Sequence, residues 1–413
     1  MSLQSGLLGG SAGGSAGGSA GGSAGGSAGG SAGGSAGGSA GGSAGGSTYS
    51  DSFANPLFAE AMVRTRGALI DMNERDAPWE LSEPTSDPIE RRLERWDPWV
   101  RSYLVAQELV SRVKFVVPPE GAAAPFEVAC HFLDKATDTF VPAVSLIPPP
   151  AATFAAQLKL VLSYAELREE RSAEILTQID NQHAFWGMLV PIQAHRMRRT
   201  RELIEAAIQF SVYVEMKFKH ELACWRPCDY SPQVQPMITT PGHGSLPSGH
   251  CTQSYVVVEV LKALLNSMQH AEEDGFRTFN RQLARLAARI STNRVIAGVH
   301  FPVDNVAGRL LGTVIGEYFS HICGGRHPSR RLAAWHSGSF DGRKFPESGD
   351  FDPFRQPLKG QPTSSKPMPV PYYTFAREGP QNAAEAESPP ANILTALWDM
   401  AKEECNGLGL VFT

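Results

Sequence analysis

Between Ile89 and Ile322 the apolar residues recur at helical spacing, and prolines mark where one run stops and the next begins. Behind Asp87-Pro88, an N-cap and first-turn pair, Ile89, Leu93, Trp96, Val100, Leu104 and Leu109 fall on one stripe, which Pro118-Pro119 closes. Pro148–Pro150 opens a second segment, Phe154–Ile179, with Leu158, Val161, Leu162, Ala165 and Leu167 on its apolar side. A longer helical zone runs from about His183 to Trp225 and restarts at Pro191. Ser248–Met268, Phe276–Val295 and Pro302–Ile322 follow as further helices. Val256-Val257-Val258 is the one strongly β-like triplet, and it lies inside a helical pattern. Helices of this kind bury their stripes against each other, so the expected fold class is all-α, a helical bundle.

The two ends read differently. Gly9–Ala44 is the tetrad Gly-Gly-Ser-Ala nine times over. Without apolar side chains such a segment cannot offset the entropy of ordering its backbone, so residues 1–48 are expected to be a flexible linker. Its glycines follow no strand and open no helix, which excludes a phosphate-binding loop. Residues 49–323 are expected to form the helical catalytic domain. From 324 to 413 proline, glycine, serine and charge dominate, and the expectation is an extended tail ending in a short helix near Asn392–Glu404.

A formal charge of -5 disfavours a nucleic-acid partner. The most hydrophobic stretches, Tyr255–Leu265 and Val306–Phe319, are interrupted by Glu259, Lys262, Arg309 and Glu317, so no membrane span is expected. A basic region followed by an apolar run is missing at the amino terminus, which favours a soluble cytoplasmic protein. Secretion stays open, because an engineered amino terminus could stand in place of a leader. The six cysteines are scattered and suggest neither a disulfide framework nor a zinc ribbon.

Three segments carry polar residues of another kind. Lys219 and Arg226 stand seven apart at the end of a long helical zone, followed by Pro227. The loop Pro241–His250, PGHGSLPSGH, holds His243, Ser248, Gly249 and His250. Asn293–Asp304 supplies Arg294, His300 and Asp304. Taken singly, a Lys-x6-Arg pair is ordinarily a solvated helix face and a Ser-Gly-His a turn or cap. Together they match a tetrahedral oxyanion. Two guanidinium groups and an ammonium offer donors, and a Ser-Gly pair at a helix start adds a hydroxyl and backbone N–H groups. One imidazole can attack or ligate the central atom, a second can exchange a proton, and an acid four residues after His300 can fix its tautomer.

Lys-x6-Arg-Pro, Pro-Ser-Gly-His and Arg-x5-His-x3-Asp in this order resemble a superfamily. It unites vanadium-dependent haloperoxidases, type 2 phosphatidic acid phosphatases and soluble class A acid phosphatases. Asn293 stands where serine is usual. The resemblance implies that Lys219, Arg226, Ser248, Gly249 and Arg294 bind the equatorial oxygens of vanadate or of phosphate at the same site. It implies that His300 is the vanadium ligand or the phosphorylated nucleophile, His250 the acid–base residue and Asp304 the residue orienting His300. His243, seven before His250, falls where bromoperoxidases of the family carry histidine and chloroperoxidases phenylalanine.

The expected function is therefore oxidation of halide, bromide first, by hydrogen peroxide to a hypohalous species that halogenates a small organic acceptor, with vanadate as cofactor. Soluble acid phosphatase activity through a phosphohistidine at His300 is the alternative, and a non-catalytic anion-binding or scaffold protein the third reading. Family members are often dimeric or larger, so a homo-oligomer is expected.

Overall fold

A computed structural model describes residues 56–69, 88–119, 121, 125–134, 137–179, 182–193, 195–266, 273–324, 335–358, 367–377 and 392–407. The expected linker, 1–48, and the helix-start residue Asp87 lie outside the described residues. The chain divides into two units, one up to Gln107 and one from Glu108 onward.

The first unit contains α1 (Pro56–Leu69), α2 (Ile89–Glu94) and most of α3 (Pro98–Val110). The stripe expected as one helix from Ile89 to Leu109 is two. Pro98 has no N–H to continue the ladder and disfavours a helical Asp97, so the chain breaks and restarts there. Arg101 spans the break by donating to the carbonyls of Leu93, at 3.3 Å, and Trp96.

The second unit is mostly helical but not all-α. Its strands are β1 (Val113–Val116), β2 (Val128–Asp134), β3 (Thr139–Ile147), β4 (His336–Asp341) and β5 (Tyr373–Arg377), in that order across one sheet. All neighbours are antiparallel except β3 and β4, which run parallel with Val144 opposite Gly338. This corrects the all-α expectation. The strands are short, and the central β3–β4 pairing joins segments almost 200 residues apart, so no local period announces it. Within the expected extended tail, β4 and β5 join this sheet.

The helices of this unit are α4 (Ala151–Tyr164), α5 (Arg168–Thr177), α6 (His183–Trp186), α7 (Arg198–Leu222), α8 (Pro227–Tyr230), α9 (Gly249–Asn266), α10 (Glu273–Ile296), α11 (Pro302–Cys323) and α12 (Ile393–Gly407). The β-like valine triplet lies within α9 and is buried there, as its helical pattern implied. Helices α9 and α11 form the centre. Gly308, Gly312 and Gly316 recur every four residues along α11, and a β-carbon on Gly312 would stand 2.3 Å from the Thr252 carbonyl of α9. This glycine row lets two backbones approach and fixes the start of α9 against the start of α11. Phe132 of β2 stacks on Tyr318 of α11 at 4.3 Å, and Phe210 of α7 and Trp335 complete that part of the core.

Two further contacts hold the starts of α7 and α11. Both carboxylate oxygens of Glu404 in α12 accept from the first N–H groups of α7, Arg199 and Thr200, each at 2.8 Å, where the helix dipole favours negative charge. Gln157 of α4 donates to the Gly349 carbonyl and accepts from the N–H of Val303 at the mouth of α11. Among the described residues no helix is long and apolar enough to cross a membrane.

Candidate active site

Two of the three motifs are built on one local device. Arg226-Pro227-Cys228-Asp229 opens α8, and Phe301-Pro302-Val303-Asp304 opens α11. In each, proline takes the first helical position, where a missing N–H costs nothing. Two residues on, the aspartate accepts from the backbone N–H at the helix boundary, Arg226 N to Asp229 Oδ2 at 2.8 Å and Phe301 N to Asp304 Oδ2 at 2.9 Å. The reach from Lys219 to Arg226 is set at the end of α7. There Ala223 adopts a left-handed conformation, φ 46°, which costs a residue with a β-carbon about 1 kcal/mol.

Asp304 does more than cap. The same Oδ2 accepts from His300 Nδ1 at 3.1 Å and from the hydroxyl of Ser245. His300 therefore carries its proton on Nδ1 and presents the lone pair of Nε2, which lies 3.5 Å from Arg226 Nη1. Burial, followed by the positive charges of Arg226 and Lys219, drives the His300 pKa well below its usual range. Burial pushes Asp304 up to about 6 in spite of its hydrogen bonds.

The loop Pro241–His250 is held by the two cations through its main chain. Lys219 Nζ donates to the carbonyls of Gly244, Ser245 and Pro247. Arg226 donates to the carbonyls of His243, at 3.0 Å, and Val299, at 2.7 Å, while its Nη2 lies 3.2 Å from His243 Nδ1. His243 and His300 thus stand on either side of one guanidinium. The residue His243 is exposed, yet its ring is desolvated enough against the loop that this, with Lys219 and Arg226, lowers its pKa to about 4.

Ser248 and Gly249 sit where α9 begins, and Ser248 N donates to the Asp304 carbonyl at 2.9 Å. A serine there commonly spends its hydroxyl capping the helix. Here Ser248 Oγ is buried without a hydrogen-bond partner. The structure gives a packing reason for glycine at 249. A β-carbon on it would stand 2.7 Å from Glu215 Oε1 of α7. Glu215 is buried one turn before Lys219, accepts from Gln253 at 3.2 Å and leaves Oε2 without a partner. Burial raises the Glu215 pKa and lowers that of Lys219, and each charge opposes the shift of the other.

His250 Nε2 donates to the Gln178 carbonyl at 2.8 Å, which leaves Nδ1 as the nitrogen free for proton exchange. Its pKa falls to about 3, through burial and then Arg294. Arg294 Nη2 donates to the Ile175 carbonyl and to Gln178 Oε1, whereas its Nε and Nη1 are buried and unpartnered. Asn293, the departure from serine, ties α10 to α5 through Glu174, Gln178 and Arg171.

All nine candidate residues thus belong to one continuous network in the second unit. Sequence reading missed Gln178, Glu215 and Ser245. Glu215 had a faint signal, a carboxylate at helical i, i+4 spacing from Lys219. Ser245 lay inside the quoted loop, and Gln178 had no signal at all. The site brings Lys219, Arg226 and Arg294 together with the unpartnered donors of Ser248 and Arg294, an arrangement able to receive an oxyanion, beside two unpartnered carboxylate oxygens, Glu215 Oε2 and Asp304 Oδ1.

Residues 204–327 match the PAP2 superfamily. The matched segment runs from α7 into the residues just after α11 and holds all three motifs. A protein with local similarity is the vanadium-dependent bromoperoxidase of Ascophyllum nodosum, 31% identical over 94 residues. The match spans 18% of this chain and 17% of that protein. Among solved structures, the transmembrane PAP2-type phosphatidylglycerolphosphate phosphatase of Bacillus subtilis aligns over 44% of this chain and 90% of its own. Its identity is 16% and its TM-score 0.35, too low to carry an argument. Every motif residue from Lys219 to Asp304 lies within the PAP2 match, and Gln178 lies outside it.

Proposed function

We propose that this PAP2-superfamily chain is a vanadate-dependent haloperoxidase that oxidises bromide with hydrogen peroxide and passes the oxidised halogen to a small organic acceptor. The observation that carries the choice is His243. Its ring flanks the guanidinium whose other side faces His300, the position at which the resemblance places histidine in bromoperoxidases. The local similarity to a protein named as a bromoperoxidase supports the same reading.

The residues fit the cofactor. Ser248 Oγ and Arg294 Nε and Nη1 are buried donors in want of acceptors, which tetrahedral vanadate or phosphate would supply. His300 would hold the anion through Nε2, with Lys219, Arg226, Arg294, Ser248 and the backbone at Gly249 around it. When bound, vanadate would supply Lewis-acid activation of hydrogen peroxide toward halide. The protein supplies the rest. Asp304 and Ser245 keep the His300 proton on Nδ1, so Nε2 stays a lone pair. His250, neutral and anchored through Nε2, takes and returns a proton at Nδ1. Arg226, placed between the two imidazoles, links the His243 ring to His300 and the anion pocket.

A second reading rests on His300 itself. An unprotonated Nε2 oriented by a carboxylate is also a competent nucleophile for a phosphate ester, so a phosphatase could use the same pocket. Protein reconstituted with orthovanadate should brominate a phenolic dye in the presence of peroxide and bromide. Apoprotein should be inactive, and phosphate should compete with vanadate. Rapid hydrolysis of p-nitrophenyl phosphate without vanadate-dependent bromination would sink the peroxidase reading and favour the phosphatase.

A further inference from the structure

Gln178 ends α5, is fully buried, and lies outside every motif and outside the PAP2 match. It nevertheless touches the site in three places. Its backbone carbonyl accepts from His250 Nε2 at 2.8 Å. Its side-chain oxygen accepts from Asn293 Nδ2 at 2.9 Å and from Arg294 Nη2 at 3.3 Å. Those two donors fix the orientation of the carboxamide, since a flipped amide would set its N–H groups against N–H groups. The side-chain nitrogen is thereby directed away from both, and it is buried without a partner.

An amide N–H pair left without an acceptor in the interior costs about 1–3 kcal/mol, so its retention calls for a ligand that supplies one. The site holds further unpartnered donors, beside two unpartnered carboxylate oxygens, Glu215 Oε2 and Asp304 Oδ1. Arg294 Nε and Nη1, on the side chain that Gln178 Oε1 holds, and Ser248 Oγ, two residues before His250, are also buried and unpartnered. Gln178 thus joins its own Nε2 to the two free donors of Arg294 through the Oε1–Nη2 contact, and it reaches the Ser248 segment through His250.

We infer that Gln178 is an uncharged member of the oxyanion cradle, donating from Nε2 to the bound anion while its two oxygens position His250 and Arg294. The inference rests on the oxyanion reading of the site but not on the choice between peroxidase and phosphatase. A neutral donor adds a hydrogen bond without adding charge to a pocket that already holds Lys219, Arg226 and Arg294. It also ties the acid–base imidazole and one anion-binding arginine to the same residue, so that both keep one register.

The test is the binding of orthovanadate and of inorganic phosphate to the full chain, measured by calorimetry beside the melting temperature of the anion-free protein. Gln178→Glu keeps the backbone carbonyl for His250 and the acceptor for Arg294 and Asn293. It removes the donor and places negative charge there. Affinity for both anions should fall at least about tenfold, the worth of one hydrogen bond to a charged group, with no loss of anion-free melting temperature. Gln178→Met, which removes the donor and the Oε1 acceptor of Asn293 and Arg294 without adding charge, should also weaken both anions, and it carries the test if Gln178→Glu does not fold. Wild-type affinity in a folded Gln178→Glu or Gln178→Met protein would overturn the inference while leaving the oxyanion site intact. Wild-type protein that binds neither anion would overturn the site reading and this inference with it.

Discussion

Glu215 Oε1 occupies the space that a side chain on Gly249 would need, 2.7 Å from the position of its β-carbon. The glycine at the head of α9 therefore admits a buried carboxylate. Gly249→Ala should displace Glu215, disturb Lys219 one turn away and cost about 1–3 kcal/mol of stability through overpacking. Combining it with Glu215→Ala should recover part of that loss, because the two residues compete for one volume. Purely additive losses in a double-mutant cycle of melting free energies would show that the contact is not the cause.

Asp304 Oδ2 accepts from Phe301 N, His300 Nδ1 and Ser245 Oγ together. Asp304→Asn keeps the shape but cannot serve all three donors as a carboxylate does, and it releases the His300 tautomer. Vanadate affinity should fall by about 10–100-fold, the usual cost of losing the partner of a ligating histidine. Ser245→Ala should act in the same direction by less. Equal and negligible effects of both, read by vanadate titration, would remove Asp304 from its orienting role.

The two central imidazoles should separate in function. His300→Ala should abolish tight vanadate binding. His250→Ala should retain much of it and lose about 10²–10⁴ in turnover, the ordinary worth of one acid–base group. Parallel vanadate titrations and bromination rates check this, and equal loss of affinity in both variants would exchange or merge the roles.

Halide handling should depend on His243. Replacing it with Ala or Phe should change bromide turnover or the bromide-to-chloride preference more than vanadate affinity, since the ring meets the pocket through Arg226. Unchanged halide kinetics in His243→Ala would remove the main reason for preferring the peroxidase.

Acid should destabilise the anion-free site. The folded pKa of His250, about 3, lies below the 6.5 of an unperturbed imidazole, so between these values the unfolded chain binds the extra proton. Stability from this residue is present above pH 6.5 and is lost as pH falls, by about 1–2 kcal/mol at pH 5. His300 and His243 act in the same sense, while Asp304 and Glu215, whose pKa values are raised, oppose them with two groups against three. Saturating phosphate should flatten the acid limb by stabilising protonated His250. Melting curves at pH 6.5 and 5, with and without phosphate, check it, and an identical slope in His250→Ala would locate the effect elsewhere.

What the sequence determined by itself is the part whose physics is local. Arg226-Pro227-x-Asp229 and Phe301-Pro302-x-Asp304 each start a helix within four residues, so Arg226, His300 and Asp304 take their places from chain geometry alone. The apolar periods likewise located α9, α10 and α11, whereas the segment expected as Phe154–Ile179 divides into α4 and α5, and the zone expected to restart at Pro191 becomes helical again only at Arg198, in α7. The break at Pro98 was written in the same code and overlooked within a continuous stripe. Tertiary structure decided the remainder. The pairing of β3 with β4 joins segments nearly 200 residues apart, and neither strand has a pattern that names its partner. Glu215 meets Gly249, and Gln178 meets both His250 and Arg294, only because α5, α7, α9 and α10 pack together. A hydrogen bond across such distances in the chain leaves no period or spacing in the sequence, since it depends on where two helices cross rather than on what precedes either residue.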